Sequence, residues 1–162
     1  MRTNTALTIF TVLVGILSVA LPGYPQQPTV DTPKARQVSG FVDKAAALIN
    51  SKGKAAFPEF RKGGSEWLSG DLYIFVGDMK GIALVNAGFP KLEGTDVSAN
   101  KDANGKLVTM ELINTAQSKG AGWVEYMWPK PGQSQPARKL SYVRAAKADG
   151  TPVYVGAGFY PE

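Results

Sequence analysis

The sequence predicts a single α+β domain, in which five antiparallel strands form one sheet and a long N-terminal helix packs on it. Three observations predict this class. The 162 residues are 44% hydrophobic and 19% charged, a composition typical of one globular domain with its own core. A long stretch with helical periodicity precedes every strand-like segment. The later strand-like segments are joined by short turns, which place antiparallel strands side by side.

Residues 1–20 are predicted to be a secretory signal peptide. Arg2 precedes a mostly apolar stretch over residues 6–21, which has small residues at Ser18 and Ala20. A cationic start, a short apolar centre and small residues before the cleavage site are typical of such a segment. We expect cleavage after Ala20 and a periplasmic or secreted protein. The alternative is an uncleaved segment that anchors the protein to the inner membrane through residues 6–21.

A Pro/Gln/Thr-rich linker is assigned to residues 21–33, and the domain itself to residues 34–162. Thr32 and Pro33 are typical of a helix start, as an N-cap followed by proline at the first helical position. Apolar residues then recur at helical spacing up to a stop at Gly53, which predicts an amphipathic helix of about five turns. Its apolar positions are Val38, Phe41, Val42, Ala45, Leu48 and Ile49.

The middle of the chain predicts a compact segment broken by Pro58 and then a two-stranded hairpin. The hairpin strands are residues 72–76 and 82–86. Residues 87–104 are predicted to be a long surface loop, because Gly, Pro, Asp and Asn interrupt any periodicity there. Helical spacing returns at Leu107–Lys119 and ends at Gly120.

Three sequential strands are predicted to complete the domain. They cover residues 123–128, 139–146 and 153–159, with turns at residues 129–136 and at Asp149-Gly150. One antiparallel sheet covered on one face by the long helix accounts for every element. This arrangement is PAS-like.

Composition excludes several kinds of chemistry. The chain has no cysteine and no histidine, which removes thiol nucleophiles, histidine-based triads and zinc sites built on these residues. No calcium-binding loop pattern is present, and we expect no metal or cofactor. The net charge of +5 is spread along the chain, so no nucleic-acid partner is expected. A hydrolase that uses Asp71 or Glu125 as a general base is a remaining alternative, but paired carboxylates are missing and we do not predict an enzyme.

Residues 122–142 combine aromatic and cationic residues in two strands joined by a proline-rich turn. Alternation places Val124, Tyr126 and Trp128 on one face and the residues between them on the other. Lys130, Arg138 and Lys139 follow. This pattern predicts a wall for a small anionic ligand. The alternative is that the aromatic residues form core and the cations are solvated.

Several motifs together resemble the single Cache domain family, type 2, over about Lys34 to Tyr160. They are FPEFR at 57–61, GDLYIFV at 70–76, GWVEYMWPKPG at 122–132, KLSYV at 139–143 and GAGFY at 156–160. The resemblance implies an extracytoplasmic sensory domain with a PAS-like sheet. It also implies binding, rather than catalysis, of a small organic acid such as acetate, propionate or pyruvate.

The resemblance further implies a pocket between the sheet and the segments that cover it. Arginine suits a carboxylate because its planar fork makes two parallel hydrogen bonds, and aromatic faces exclude water. Arg138 and Lys139 point to opposite faces of one strand, so at most one faces the pocket, and we favour Lys139. The candidate ligand-binding residues are Arg61, Tyr73, Phe75, Tyr126, Trp128, Arg138, Lys139 and Tyr142.

Two departures from the family pattern affect the expected function. Asn86-Ala87-Gly88 stands where relatives often carry a His-Pro pair, which leaves the ligand identity open. We also expect that no output region follows Glu162. We therefore expect signalling through a separate membrane histidine kinase, chemoreceptor or transporter. A structural or interaction module, with the pocket filled by its own side chains, is the alternative function.

Overall fold

The computed structural model describes residues 30–161. The predicted signal peptide and most of the predicted linker therefore lie outside the described residues. Within the described part of the chain, no helix has the length and apolar character that crossing a membrane requires.

Helix α1, Pro33–Lys52, is the long N-terminal helix that the sequence predicts. The hydroxyl oxygen of Thr32 accepts a hydrogen bond from the backbone N–H of Ala35 at 3.1 Å, and proline occupies the first turn. Gly53, with a positive φ of 60°, ends the helix. The buried side of α1 consists of Ala35, Val38, Val42, Ala45, Ala46 and Ile49.

One five-stranded antiparallel sheet forms the centre of the domain, as predicted. The strands are β3 Phe75–Asp78, β4 Ala83–Asn86, β5 Ala121–Pro129, β6 Pro136–Ala148 and β7 Thr151–Phe159. Their order in the sheet is β4-β3-β7-β6-β5, so the last strand of the chain lies in the middle, between β3 and β6.

The first predicted strand, residues 72–76, is divided at Ile74. Leu72–Tyr73 forms β2, which pairs with β1, Leu68–Ser69, in a separate two-stranded sheet. This small hairpin was not predicted. Between it and α1 lie a short 3₁₀ turn and helix α2, Phe57–Arg61, which has Pro58 in its first turn.

The two faces of the sheet carry separate cores. Helix α1 covers one face, where the Asp43 carboxylate pairs with Arg144 at 2.7 Å and the Asn50 side chain accepts the Lys147 N–H at 2.8 Å. Helix α3, Val108–Lys119, packs on the other face. Because side chains alternate along each strand, β3, β5, β6 and β7 contribute to both cores, whereas β4 contributes Val85 and Leu84 to the core on the α1 face.

The segment between β4 and α3 is held in place by two carboxylates. Asp102 accepts backbone N–H groups of Asn104, Lys106 and Met127 at 2.8–2.9 Å, and the last of these ties the segment to β5. Glu93 accepts the backbone N–H of Asn86 at 2.7 Å. These bonds fix a long loop against the α3 face of the sheet, where it forms part of a cavity wall.

Candidate ligand-binding site

A small cavity of about 50 Å³ lies on the α3 face of the sheet. A water molecule needs roughly 10–15 Å³ of such space, so the cavity has room for about three to five water molecules. Its walls come from the sheet, from α3 and from the loop that follows β4. They include Tyr73, Phe75, Asn86, Leu92, Val97, Val108, Thr109, Leu112, Tyr126, Trp128 and Tyr154.

The cavity walls are mainly aromatic and aliphatic, and none of the described residues that line the cavity is charged. The polar groups are tyrosine and threonine hydroxyls, one indole N–H and one amide. The Tyr126 hydroxyl is already paired with the hydroxyl of Ser141 at 2.9 Å. Such a lining fits a small ligand with a short apolar part and one polar end.

Lys139 supplies a positive charge next to this cavity. It lies on β6 opposite Tyr126 of β5 and is 1% exposed. Its ammonium donates a hydrogen bond to the Tyr73 hydroxyl at 2.8 Å and lies 4.2 Å from the centroid of that ring. The rings of Tyr160 and Phe75 are 5.2 and 5.9 Å away. Aromatic faces attract a desolvated cation, but more weakly than a carboxylate does.

Gly158 on β7 makes room for the lysine stem. A Cβ at this position would come within 2.3 Å of the Ser141 hydroxyl and 2.9 Å of Lys139 Cε. Gly156, two residues earlier on the same face, leaves space for the Phe75 ring in the same way. A Cβ at position 156 would lie 2.5 Å from that ring. A glycine inside a strand often marks such a close approach.

The Lys139 ammonium has no carboxylate within ion-pair distance among the described residues. Burial lowers the pKa of Lys139 to about 7, and the more distant Asp71 offsets part of this effect. Asp71 is itself paired with Lys130, at 3.5 Å. One of the three N–H donors of Lys139 has a hydrogen-bond acceptor in the described structure, so the site can accommodate a further acceptor.

Lys139 does not itself line the cavity, but its ammonium donates to the hydroxyl of Tyr73, which does. Trp128 and Tyr160 also interact with the Tyr73 hydroxyl through their polar side-chain atoms. We call Lys139, Tyr73, Trp128 and Tyr160 the polar corner. Burial raises the pKa of Tyr73 and of Tyr160, so both phenols stay protonated at neutral pH. The corner therefore presents hydrogen-bond donors and one cationic group to an anion.

Residues at the surface close the outer side of the polar corner. The Tyr160 hydroxyl donates to the carbonyl oxygen of Pro129 at 2.6 Å. The Lys130 ammonium lies 5.4 Å from the centroid of the Tyr160 ring and reaches Asp71 on the β1–β2 turn. These contacts join the turn after β5 to the small hairpin and hold water away from Lys139.

The structure brings five of the predicted site residues together. Tyr73, Phe75, Tyr126 and Trp128 line the cavity, and Lys139 is hydrogen-bonded to Tyr73. The preference for Lys139 over Arg138 as the inward residue agrees with this placement, since Lys139 is buried on the same face as Ser141 and Val143.

The other three predicted residues lie elsewhere. Arg138 points to the opposite face and makes a two-pronged ion pair with Glu125 at 2.7 and 2.9 Å. Arg61 bonds to Glu93 and to the Leu84 carbonyl at the surface, both at 2.8 Å. Tyr142 packs on Trp123 on the α1 face. Side-chain alternation explains two of these placements, because Arg138 and Tyr142 are separated from Lys139 by odd numbers of residues.

Sequence reasoning missed the contributions of Tyr154, Tyr160 and helix α3. Tyr154 belongs to the same face of β7 as Gly156 and Gly158, since side chains in a strand alternate. The sequence signal was Tyr154 followed by glycine at Gly156 and Gly158, because alternate glycines on one face of a strand leave space for large side chains from neighbouring strands. No comparable signal identified Leu112, which depends on how α3 docks on the sheet.

The domain combines a PAS-like sheet with a small, partly open cavity beside the buried cation Lys139. The family model for the Cache domain matches residues 62–162. The chain belongs to the Cache domain family, which confirms the resemblance deduced from its motifs.

Individual relatives are a chemotaxis receptor and sensor domains of chemotaxis proteins. A solved structure titled for carboxylic acid recognition by a Cache chemosensory domain is 31% identical, with a TM-score of 0.69 over 80% of this chain and 94% of that one. A periplasmic sensor domain of a chemotaxis protein is 29% identical, with a TM-score of 0.69 over 80% of this chain and 96% of that one. The methyl-accepting chemotaxis protein McpP of Pseudomonas putida is 37% identical over 90 residues, which are 56% of this chain and 16% of that receptor.

Proposed function

We propose that this chain is an extracytoplasmic sensory domain that binds a short-chain carboxylate, such as acetate, propionate or pyruvate, at the polar corner. The observation that carries the proposal is the buried ammonium of Lys139, which lies beside a small uncharged cavity. Among residues 30–161, no carboxylate lies within ion-pair distance of this ammonium. A buried charge without a partner costs several kcal/mol. A bound carboxylate would provide that partner.

In this proposal each part of the site has a role. The carboxylate would accept hydrogen bonds from the Tyr73 hydroxyl and the Trp128 indole, with the Lys139 ammonium supplying the charge. The aliphatic tail would lie against Phe75 and Leu112, away from water. A cavity of about 50 Å³ suits acids of two or three carbons and is too small for longer chains without rearrangement.

The relatives support a binding and signalling role. A Cache relative with 31% identity is described by its recognition of carboxylic acids, and others are sensor domains of chemotaxis receptors rather than enzymes. We propose that this chain also binds without catalysis and passes its ligand state to a separate membrane partner, a histidine kinase, chemoreceptor or transporter. Export through residues 1–20 to the periplasm, or anchoring by residues 6–21, belongs to the same proposal.

A thermal-shift screen of the purified protein tests the ligand class. The panel would hold two- and three-carbon monocarboxylates, with hexanoate, succinate and propylamine as controls for length, charge and sign. A ligand at 100 times its dissociation constant stabilises the folded state by about 2.7 kcal/mol, which raises the melting temperature by several degrees. Shifts confined to the short monocarboxylates are expected. Absence of a shift with every carboxylate would contradict the proposal and favour an interaction module.

Replacing Arg138 or Arg61 with alanine is expected to leave the affinity for propionate within about twofold of the wild-type value. Each arginine is paired with a glutamate outside the cavity, and Arg138 lies on the other face of the sheet. Exposed ion pairs contribute about 0–1 kcal/mol, so stability should change little. Isothermal titration calorimetry measures the affinity. A loss of tenfold or more in either variant would show that the arginine contacts the ligand.

A further inference from the structure

The surroundings of Lys139 bear on which form of the acid is recognised, provided that the site binds a carboxylate as proposed. We infer that the site takes up its short carboxylate together with one proton, so that above neutral pH it reports the concentration of the undissociated acid. A carboxylate plus a proton has the composition and charge of the neutral acid, so binding the pair adds no net charge to the buried site.

The first support is the charge balance around Lys139. The ammonium is 1% exposed, its hydrogen-bond acceptor is a neutral phenol, and its nearest neighbours are aromatic rings. One carboxylate, Asp71, acts on it electrostatically, and this carboxylate is shared with Lys130. Four phenols face the site: Tyr73 from β2, Tyr126 from β5, Tyr154 from β7 and Tyr160 directly after β7. The other charged groups near the site are Asp71 from the β1–β2 turn and Lys130 from the turn after β5.

Among these groups, Lys139 and not a tyrosine exchanges the proton. Burial raises the pKa of Tyr73, Tyr126, Tyr154 and Tyr160, so these phenols remain neutral through the physiological range. Burial lowers the pKa of Lys139 to about 7, which makes the lysine partly neutral in the empty site. Lys139 is therefore the group that gains the proton when the acid binds.

The sign of the pH dependence follows from linkage. A carboxylate next to Lys139 favours the charged amine and raises its pKa in the complex. Below about pH 7 the amine is already charged, and the anion binds without a proton. Above about pH 7 the proton must come from solution, and the affinity for total acid should fall about tenfold for each pH unit. Expressed as undissociated acid, the dissociation constant should then be constant.

Calorimetry of the whole protein with propionate, at several pH values from about 6 to about 9, tests the inference. Each pH would be measured in two buffers of different ionisation enthalpy, because the difference in heat gives the number of protons taken up. We expect an uptake of about half a proton near pH 7 and nearly one proton above pH 8. The variant Lys147→Met removes an exposed lysine from the same strand and should show the wild-type profile.

Two outcomes are decisive. An affinity that stays constant from pH 7 to 9, with no proton uptake, would overturn the inference and leave carboxylate binding intact. No binding at any pH would overturn the proposed function as well.

NMR of protein labelled with ¹³C at lysine Cε gives an independent readout without mutation: one lysine should titrate near pH 7 in the free protein and at a higher pH with propionate. Absence of a lysine that titrates near neutral pH would also overturn the inference.

Discussion

Replacement of Lys139 by methionine is expected to abolish the binding of short carboxylates and, at the same time, to make the domain more stable at neutral pH. Loss of a buried charged partner costs binding about 2–5 kcal/mol, or roughly 30-fold to several thousand-fold in affinity. Replacing a buried charge by an apolar side chain of similar length is often neutral or stabilises a fold by about 1–4 kcal/mol. Calorimetry with propionate and urea denaturation measure the two effects.

Lost binding together with higher stability distinguishes a lysine that binds the ligand from a lysine that stabilises the fold. If Lys139 mainly stabilised the fold through Tyr73 and the neighbouring rings, the methionine variant would be less stable. The control Lys147→Met changes an exposed lysine of the same strand and should leave both properties unchanged. Retention of wild-type affinity in Lys139→Met would contradict the site.

The empty domain is expected to become more stable as the pH rises from about 7 to about 9.5. The pKa of Lys139 is about 7 in the folded protein and near 10.5 in the unfolded chain, because burial depresses it. Between these values the unfolded state binds more protons, so the free energy of unfolding increases with pH, by at most about 1.4 kcal/mol per unit. Above about pH 10 the trend should reverse, because the pKa values of the buried tyrosines are raised and the unfolded chain loses those protons first.

Urea denaturation at constant ionic strength measures this slope. Saturating propionate should flatten the rise, since the bound carboxylate raises the pKa of Lys139 in the folded state. The Lys139→Met variant should lack the rise in the absence of ligand. If the free energy of unfolding of the wild-type protein is constant or falls between pH 7 and 9, burial does not lower the pKa of Lys139 in the folded state.

Local patterns predicted most elements of the fold, but not the arrangement of the sheet. Helix α1 was predictable because Thr32, Pro33 and Gly53 mark its ends and its apolar spacing is regular. The position of β7 in the middle of the sheet was not, since strand order depends on pairings between distant segments. The division at Ile74 was also hidden, because Leu72–Val76 has the same composition as one continuous strand.

The site was predictable where alternation along a strand decides it. Tyr126 and Trp128 are two residues apart in a strand, so both were expected on one face of the sheet. Arg138 and Lys139 are adjacent, so they were expected on opposite faces. Arg61 was a candidate because arginine suits carboxylates, but Glu93 from the distant loop holds it at the surface. The enclosing contacts of Tyr160 and Leu112 depend on tertiary docking that no local pattern encodes.

A crystal structure of the protein with bound propionate is the most direct test of the site. We expect one carboxylate in the cavity, with an oxygen hydrogen-bonded to Tyr73 at about 2.7 Å, the Lys139 ammonium within about 4 Å and the ethyl group toward Leu112. A propionate bound instead at Arg138 or Arg61, with the cavity unchanged, would contradict it.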